Sequence, residues 1–230
     1  MLPFIFFTLM LISLGLLIHF SNNPKGHLKH IFKTTTSILF ILISISSYAI
    51  SHENFNYFIF ILLALIMSLS GDVFLAFTNG NISSTNKPFI FGVGSFSIAH
   101  IFFSIAFIVL VPISTSHMLL FLVLSIISII VLKSVKGFSF KGTFPLVAAY
   151  SIIISFMVSR AFAILPLFET NNLGTILIAV GTTLFFLSDL ILSFVYFYKK
   201  CPPYMSTLNL LTYYIGQGLI ALSLITKFAV

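Results

Sequence analysis

Long apolar runs, separated by short polar connections, extend along the whole sequence. A helix that crosses the hydrocarbon core of a bilayer needs about 20 mainly apolar residues. Eight runs meet or approach this length, over the approximate bounds 3–20, 31–50, 57–78, 88–111, 117–132, 143–165, 173–198 and 205–228. The pattern therefore predicts an all-α fold, a polytopic membrane helical bundle of about eight transmembrane helices.

The composition excludes a soluble protein. The chain is 59% hydrophobic and 7% charged, whereas a soluble domain carries about 25% charged residues. No polar stretch is long enough to form a separate soluble domain, so residues 1–230 are predicted to form a single integral-membrane domain. The net charge of +7 indicates cytoplasmic connections that face anionic headgroups, and we expect no nucleic-acid partner.

The lysines are distributed unevenly over the connections. If the spans alternate in direction, one side receives Lys25, Lys29, Lys33, Lys87, Lys133, Lys136, Lys141, Lys199 and Lys200. The other side receives Glu53, Glu169, Lys227 and, at a helix end, Arg160. Because Lys and Arg accumulate in cytoplasmic connections, we expect the lysine-rich side to be cytoplasmic and both termini to lie outside. In a bacterium, this multi-pass protein would reside in the cell (inner) membrane.

Two acidic residues lie deep inside apolar runs, Asp72 on the third span and Asp189 on the seventh. A carboxylate in hydrocarbon costs several kcal/mol unless it is paired, protonated or facing water, so such a residue indicates function. The alternative is a structural role, in which the aspartates hold neighbouring helices together through hydrogen bonds.

The surroundings of the two aspartates match. Gly71-Asp72-Val73-Phe74-Leu75-Ala76-Phe77 and Ser188-Asp189-Leu190-Ile191-Leu192-Ser193-Phe194 share the order small residue, Asp, two apolar residues, Leu, small residue, Phe. The next span of each half carries Gly92-Val93-Gly94 or Gly216-Gln217-Gly218. One interpretation is a four-plus-four parallel internal repeat; the other is chance similarity between apolar sequences.

Estimated depth brings further polar side chains to the level of the aspartates. At a rise of 1.5 Å per residue, the distance from the cytoplasmic end of each span is about 9–18 Å for Asp72, Tyr150, Tyr214, Asp189, His100 and Gln217. Lys33 lies at the cytoplasmic mouth of the second span and is a candidate phosphate contact for a lipid headgroup. For each residue a structural role remains open: a satisfied core histidine, an interface tyrosine or an ordinary cytoplasmic lysine.

These side chains suit general acid–base chemistry. The chain has no nucleophilic-serine, zinc-protease or phosphate-binding-loop motif. Of two buried carboxyl groups, one can remain protonated and act as an acid while the other is ionised. A metal site of two Asp and one His is also chemically feasible, although nothing in the spacing favours it, and we expect no metal and no cofactor.

The chain resembles the YhhN family of membrane proteins, which includes the lysoplasmalogenases. The resemblance runs from Lys33 to Gln217 and rests on an ordered set of residues: Lys33, Leu69-Ser70-Gly71-Asp72-Val73-Phe74-Leu75, Phe91-Gly92, Phe96, Ala99-His100, Tyr150, Met157, Gly181, Phe185, Ser188-Asp189, Tyr213-Tyr214 and Gln217. One departure is Phe102-Phe103, where the family commonly has a tyrosine. The missing hydroxyl leaves the precise substrate open.

The resemblance implies hydrolysis of the vinyl ether of lysoplasmalogens, which releases a fatty aldehyde and a glycerophospho-headgroup. Asp72, Asp189 and His100 would be catalytic; Lys33, Tyr150, Ser188, Tyr214 and Gln217 would bind the lysophospholipid. Vinyl-ether hydrolysis proceeds through an oxocarbenium-like state, which the inferred acid–base pair suits. We expect membrane lipids as partners and no obligate protein partner. A proton-coupled or lipid transporter that uses the two aspartates is the alternative.

Overall fold

The computed structural model describes residues 1–22, 27–78, 82–83, 85–113, 115–165 and 173–226. These residues form eight α-helices and no strands. The helices are α1 Leu2–Asn22, α2 His27–Ser51, α3 Phe55–Ala76, α4 Lys87–Leu110, α5 Thr115–Ser134, α6 Phe144–Phe162, α7 Leu173–Phe197 and α8 Tyr204–Leu222, followed by a short 3₁₀ helix, Ser223–Ile225. Each α-helix contains a segment long and apolar enough to cross a membrane, which confirms the predicted all-α polytopic bundle.

The orientation in the membrane stays a prediction. Lys25, Glu169 and Lys227, which contribute to the predicted charge asymmetry, lie outside the described residues. Alternation of eight spans places the beginnings of α2 and α8 and the ends of α3 and α7 at the same end of the bundle. We call this end the lysine-rich end, because Lys29, Lys33, Lys199 and Lys200 belong to it.

Local sequence signals set the helix boundaries. Asn54 precedes α3, and its side-chain oxygen accepts a hydrogen bond from the backbone N–H of Tyr57 at 3.1 Å. Asn86 precedes α4 and accepts in the same way from Phe89 at 3.3 Å. Both bonds satisfy backbone donors that the first helical turn leaves without a partner. Pro88 lies in the first turn of α4, where its missing N–H costs nothing.

The helices pack mainly with their neighbours in sequence, α1 with α2, α3 with α4, α5 with α6 and α7 with α8. Glycines bring the paired helices close. A Cβ at Gly181 on α7 would lie 2.9 Å from the backbone oxygen of Gly216 on α8, and a Cβ at Gly71 on α3 would lie 2.6 Å from the ring of Phe96 on α4. Small residues allow this approach where helices associate in a membrane.

The internal repeat also stays a prediction. The pairing of α3 with α4 recurs in α7 with α8, but the matching glycines differ in their contacts. A Cβ at Gly92 would meet Leu75, three residues after Asp72, whereas a Cβ at Gly216 would meet Gly181 and Phe185, which precede Asp189.

Polar contacts also join parts of the chain that are not neighbours in sequence. The guanidinium of Arg160, at the end of α6, is fully buried and donates to the backbone oxygens of Val111 and, at 3.1 Å, Pro112. These oxygens follow the last turn of α4, where a cation is stabilised by the helix dipole. Arg160, at a helix end as predicted, therefore caps α4. At the lysine-rich end, the backbone N–H of Ser139 donates to Phe197 at 2.8 Å, which ties the connection after α5 to the end of α7.

Candidate active site

A cavity of about 670 Å³ lies at the lysine-rich end of the bundle. The first turns of α2 and α8 and the last turns of α3 and α7 form its outer part. Asp72 and Asp189 both line its inner part, and Lys33 lies between them and the mouth. The structure thus brings the two intramembrane aspartates to a single cavity, reached from one end of the bundle.

Asp72 is surrounded by donors. Its Oδ2 accepts from the Ser37 hydroxyl at 2.7 Å and the Tyr213 hydroxyl at 2.8 Å, while Oδ1 lies 3.3 Å from the Lys33 ammonium. Only 3% of Asp72 is exposed. An ionised carboxylate can only accept hydrogen bonds, and a buried one needs a cation and donors. The three contacts therefore match an ionised Asp72.

The sequence of α2 positions two of these donors. Lys33 and Ser37 are four residues apart and so lie on one face of the helix. Tyr214 donates its hydroxyl to the backbone oxygen of Lys33 at 3.1 Å. Ser37 also lies 3.0 Å from that oxygen; because Tyr214 supplies a donor there, the Ser37 hydrogen is available to Asp72.

Asp189 has different surroundings. Its Oδ2 lies 2.6 Å from the Tyr150 hydroxyl, and His100 Nε2 lies 2.8 Å from the same hydroxyl and 3.5 Å from Asp189 Oδ2. The other ring nitrogen of His100, Nδ1, lies 3.3 Å from the sulfur of Met157. No Lys or Arg forms an ion pair with Asp189 within the described residues.

Protons can be arranged along this chain of contacts in two directions. With Asp189 ionised, Tyr150 donates to Asp189 and His100 Nε2 donates to Tyr150. With Asp189 protonated, Asp189 donates to Tyr150, Tyr150 donates to His100 Nε2, and His100 Nδ1 donates to the Met157 sulfur, a weak acceptor. Both arrangements give every N–H and O–H an acceptor, so the chain accommodates Asp189 in the ionised and in the neutral form.

Of the remaining predicted site residues, Ser188 lines the main cavity, whereas Gln217 is fully buried and does not line it. The Ser188 hydroxyl donates to the backbone of Phe185 at 2.8 Å, within its own helix. The Gln217 amide donates to Ser68 at 3.1 Å, between α8 and α3. Tyr150 and Asp189 line two smaller pockets, of about 30 and 50 Å³. Among the described residues that line the main cavity, Tyr213 occurs where Tyr214 was expected.

Sequence reasoning missed two contacts of Asp72. Ser37 follows Lys33 by one helical turn, and this spacing is a signal that was available in the sequence. Tyr213 and Tyr214 differ in depth by only about 1.5 Å, but by about 100° around the helix. Depth alone therefore could not decide which of them reaches the carboxylate.

The phosphate contact expected of Lys33 stays a prediction; in the structure its ammonium lies 3.3 Å from Asp72. Within the part of the chain that the structure describes, no three His, Cys, Asp or Glu side chains converge on a point where they could hold a metal ion. The two carboxyl groups of the site have different partners: Lys33, Ser37 and Tyr213 for Asp72, and Tyr150 with His100 for Asp189.

The family model described as YhhN family matches residues 28–224. That range contains both aspartates and every partner named above. No curated protein and no solved structure matches the chain. Since the match covers most of its length, the chain belongs to the YhhN family.

Proposed function

We propose that this membrane protein hydrolyses the vinyl ether bond of lysoplasmalogens, as its family membership suggests, through the two carboxyl groups of its cavity. The observation that carries the proposal is the difference between the two groups. Asp72 is held by a lysine and two hydroxyls, whereas Asp189 is joined to a tyrosine–histidine chain. Acid–base catalysis needs one protonated and one ionised group at the outset.

Asp189 is assigned as the general acid. Hydrolysis of a vinyl ether begins with protonation of carbon, so the site needs a neutral acid in contact with the alkenyl group. The chain through Tyr150 and His100 accepts the proton of a neutral Asp189 and can reorganise once that proton is transferred. The hydrogen bond between Tyr150 and Asp189 then reverses its direction, and the Tyr150 hydroxyl donates to the newly formed carboxylate.

Asp72 is assigned as the ionised partner. When Asp189 delivers its proton to the outer alkene carbon, the electron pair of the double bond forms the new C–H bond. Positive charge then develops on the ether carbon and oxygen. The carboxylate of Asp72 stabilises this charge and accepts a proton from the water that attacks the carbon. Collapse of the resulting hemiacetal breaks its bond to the glycerol oxygen, which takes the proton now held by Asp72. The hemiacetal hydroxyl gives its proton to Asp189 as the aldehyde C=O bond forms, so both aspartates return to their starting states.

The membrane location suits a lipid substrate. A lysoplasmalogen has one hydrocarbon chain and a phosphate-bearing headgroup, and it resides in the bilayer. A cavity enclosed by helices keeps bulk water away from the oxocarbenium-like state while admitting the water that reacts. Both aspartates lie on the wall of such a cavity.

The decisive experiment measures aldehyde release by the purified protein in detergent, across a panel of lysolipids. The wild type should release aldehyde from alkenyl lipids and none from saturated ethers. Asp72→Asn and Asp189→Asn should each lose about 10²–10⁴-fold of the activity, because an amide can neither deliver the proton nor balance the cation. Near-normal turnover by both variants would overturn the two-carboxylate mechanism.

Release of aldehyde also separates hydrolysis from the transporter alternative. An enzyme needs no gradient and works in detergent, whereas a transporter changes no covalent bond. Wild-type protein that gives no aldehyde from any lysolipid, but moves lipid or protons across a vesicle membrane, would replace the proposed function with transport.

A further inference from the structure

The outer part of the cavity carries two basic side chains that the catalytic proposal does not use. Lys29 and His30 lie in the first turn of α2, and both line the cavity at its mouth. His30 is stacked beside Phe77, which follows α3, with ring centroids 6.5 Å apart and ring planes within 9° of parallel. Across the mouth, Ser206 and Thr207 in the first turn of α8 contribute hydroxyl groups to the wall.

Lys29 begins a row of polar side chains along one face of α2. Lys29, Lys33 and Ser37 are spaced at four-residue intervals, so they lie one above another. Lys33 and Ser37 both contact Asp72. Lys29 lies about 6 Å nearer the mouth, and it is not part of any ion pair among the described residues.

The charges of the cavity favour an anion at this position. Asp72 and Asp189 are the carboxylates among the described residues of the wall, and Lys33 already pairs with Asp72. Lys29 is exposed at the mouth and has no ion-pair partner among the described residues. With Asp189 neutral, as the proposed mechanism requires, Lys29 and Lys33 outnumber the one ionised carboxylate of the wall. An anionic ligand would supply the missing negative charge at the mouth.

We propose that Lys29 and His30 form a subsite for the phosphate ester of the ligand, while Lys33 serves to hold Asp72 ionised. The inference rests on the proposed function and adds the pose of the substrate. Five single bonds separate phosphorus from the ether oxygen of a lysoplasmalogen, roughly 6 Å when extended. A phosphate at Lys29 therefore places the vinyl ether one helical turn deeper, at the level of Lys33 and Asp72.

A binding experiment that involves no hydrolysis tests this subsite. The probe is a saturated 1-O-alkyl glycerophosphoethanolamine, which has no vinyl ether to cleave, and its partner probe is the matching 1-O-alkyl glycerol. Lys29→Ala should weaken binding of the phosphate-bearing probe by about tenfold and leave the glycerol probe unchanged. Lys29→Arg should restore most of the affinity. Lys136→Ala, which removes an exposed lysine outside the cavity, should have no effect.

Two further arms identify the source of the phosphate and separate the two proposals. If millimolar inorganic phosphate competes with the probe, the subsite also binds the free anion. If it does not compete, the subsite binds phosphate only as part of a lipid. Equal affinity of Lys29→Ala and wild type for the phosphate-bearing probe would overturn the subsite, even if the wild type releases aldehyde. Conversely, a wild type that releases no aldehyde but shows the Lys29 dependence would retain the subsite and lose the proposed reaction.

Discussion

The Lys33 ammonium lies 3.3 Å from the Asp72 carboxylate, and only 16% of the lysine side chain is exposed. Each of these two charges is the counter-ion of the other, because removal of either group would leave a buried charge unpaired. The pairing places Lys33 beside Asp72, one of the two carboxyl groups of the proposed mechanism.

Lys33→Met should therefore lower kcat by a larger factor than it raises KM. It should also lower the free energy of unfolding. Breaking a buried ion pair costs about 3–5 kcal/mol, and the partial exposure of Lys33 places the expected loss at the lower end. The double variant Lys33→Met with Asp72→Asn should regain much of the thermal stability, since no charge is left unpaired, yet remain inactive. Thermal unfolding and steady-state kinetics of the four proteins form a double-mutant cycle. Additive losses in stability would contradict the pairing.

The proposed mechanism requires a protonated Asp189 in the resting protein. Infrared difference spectra should contain the carbonyl band of a neutral carboxylic acid, which disappears in Asp189→Asn and persists in Asp72→Asn. The physical reason is that the two carboxyl groups have different partners: a lysine for Asp72, and a tyrosine hydrogen-bonded to a histidine for Asp189. The opposite pattern, with the band lost in Asp72→Asn, would exchange the two roles.

Tyr150→Phe should reduce kcat by about 10–100-fold while KM changes little, because it interrupts proton movement without altering the cavity wall. The Tyr150 hydroxyl contacts both Asp189 and His100. Tyr48→Phe, on α2 near the opposite end of the bundle, is the matched control and should retain wild-type kinetics. A Tyr150→Phe protein with unchanged kcat would exclude the tyrosine from the proton path.

Gly181→Ala should destabilise the packing of α7 against α8. The added Cβ would lie 2.9 Å from the Gly216 oxygen and 2.8 Å from Ile220, and overpacking of this kind costs about 1–3 kcal/mol. Gly94→Ala is the control, since its Cβ would meet nothing within 4 Å. Thermal unfolding in detergent compares the two. Equal unfolding midpoints of the two variants would mean that α7 and α8 accommodate the added Cβ without loss of stability.

The orientation is tested by cysteine labelling in a Cys201→Ser background. Burial raises the pKa of the Cys201 thiol, which slows its reaction, but replacement removes the background altogether. Lys136→Cys and Lys199→Cys should react from the cytoplasmic side and Glu53→Cys from the outside, as the distribution of lysines predicts. Labelling of positions 53 and 136 from the same side would reject the eight-span alternation.

The sequence predicted the helices well because length and hydropathy decide whether a segment can span a bilayer. It also singled out Asp72 and Asp189, since a carboxylate in hydrocarbon is costly wherever it faces. What it could not supply is rotation about each helix axis, which decides between Tyr213 and Tyr214. Nor could it supply contacts between helices distant in sequence. His100 and Tyr150 differ by about 8 Å in estimated depth, yet they touch at 2.8 Å, because depth along one axis ignores side-chain length and helix tilt.

The cap that Arg160 places on α4 has a consequence for the proton chain. Arg160 lies ten residues beyond Tyr150 on α6, and its acceptor Val111 lies eleven residues beyond His100 on α4. The two helices are thus joined at two levels about 15 Å apart. A slip of one helix past the other by a single residue would move Tyr150 about 1.5 Å relative to His100 and break both contacts at once. The guanidinium therefore fixes the axial register on which a hydrogen bond about 15 Å away depends.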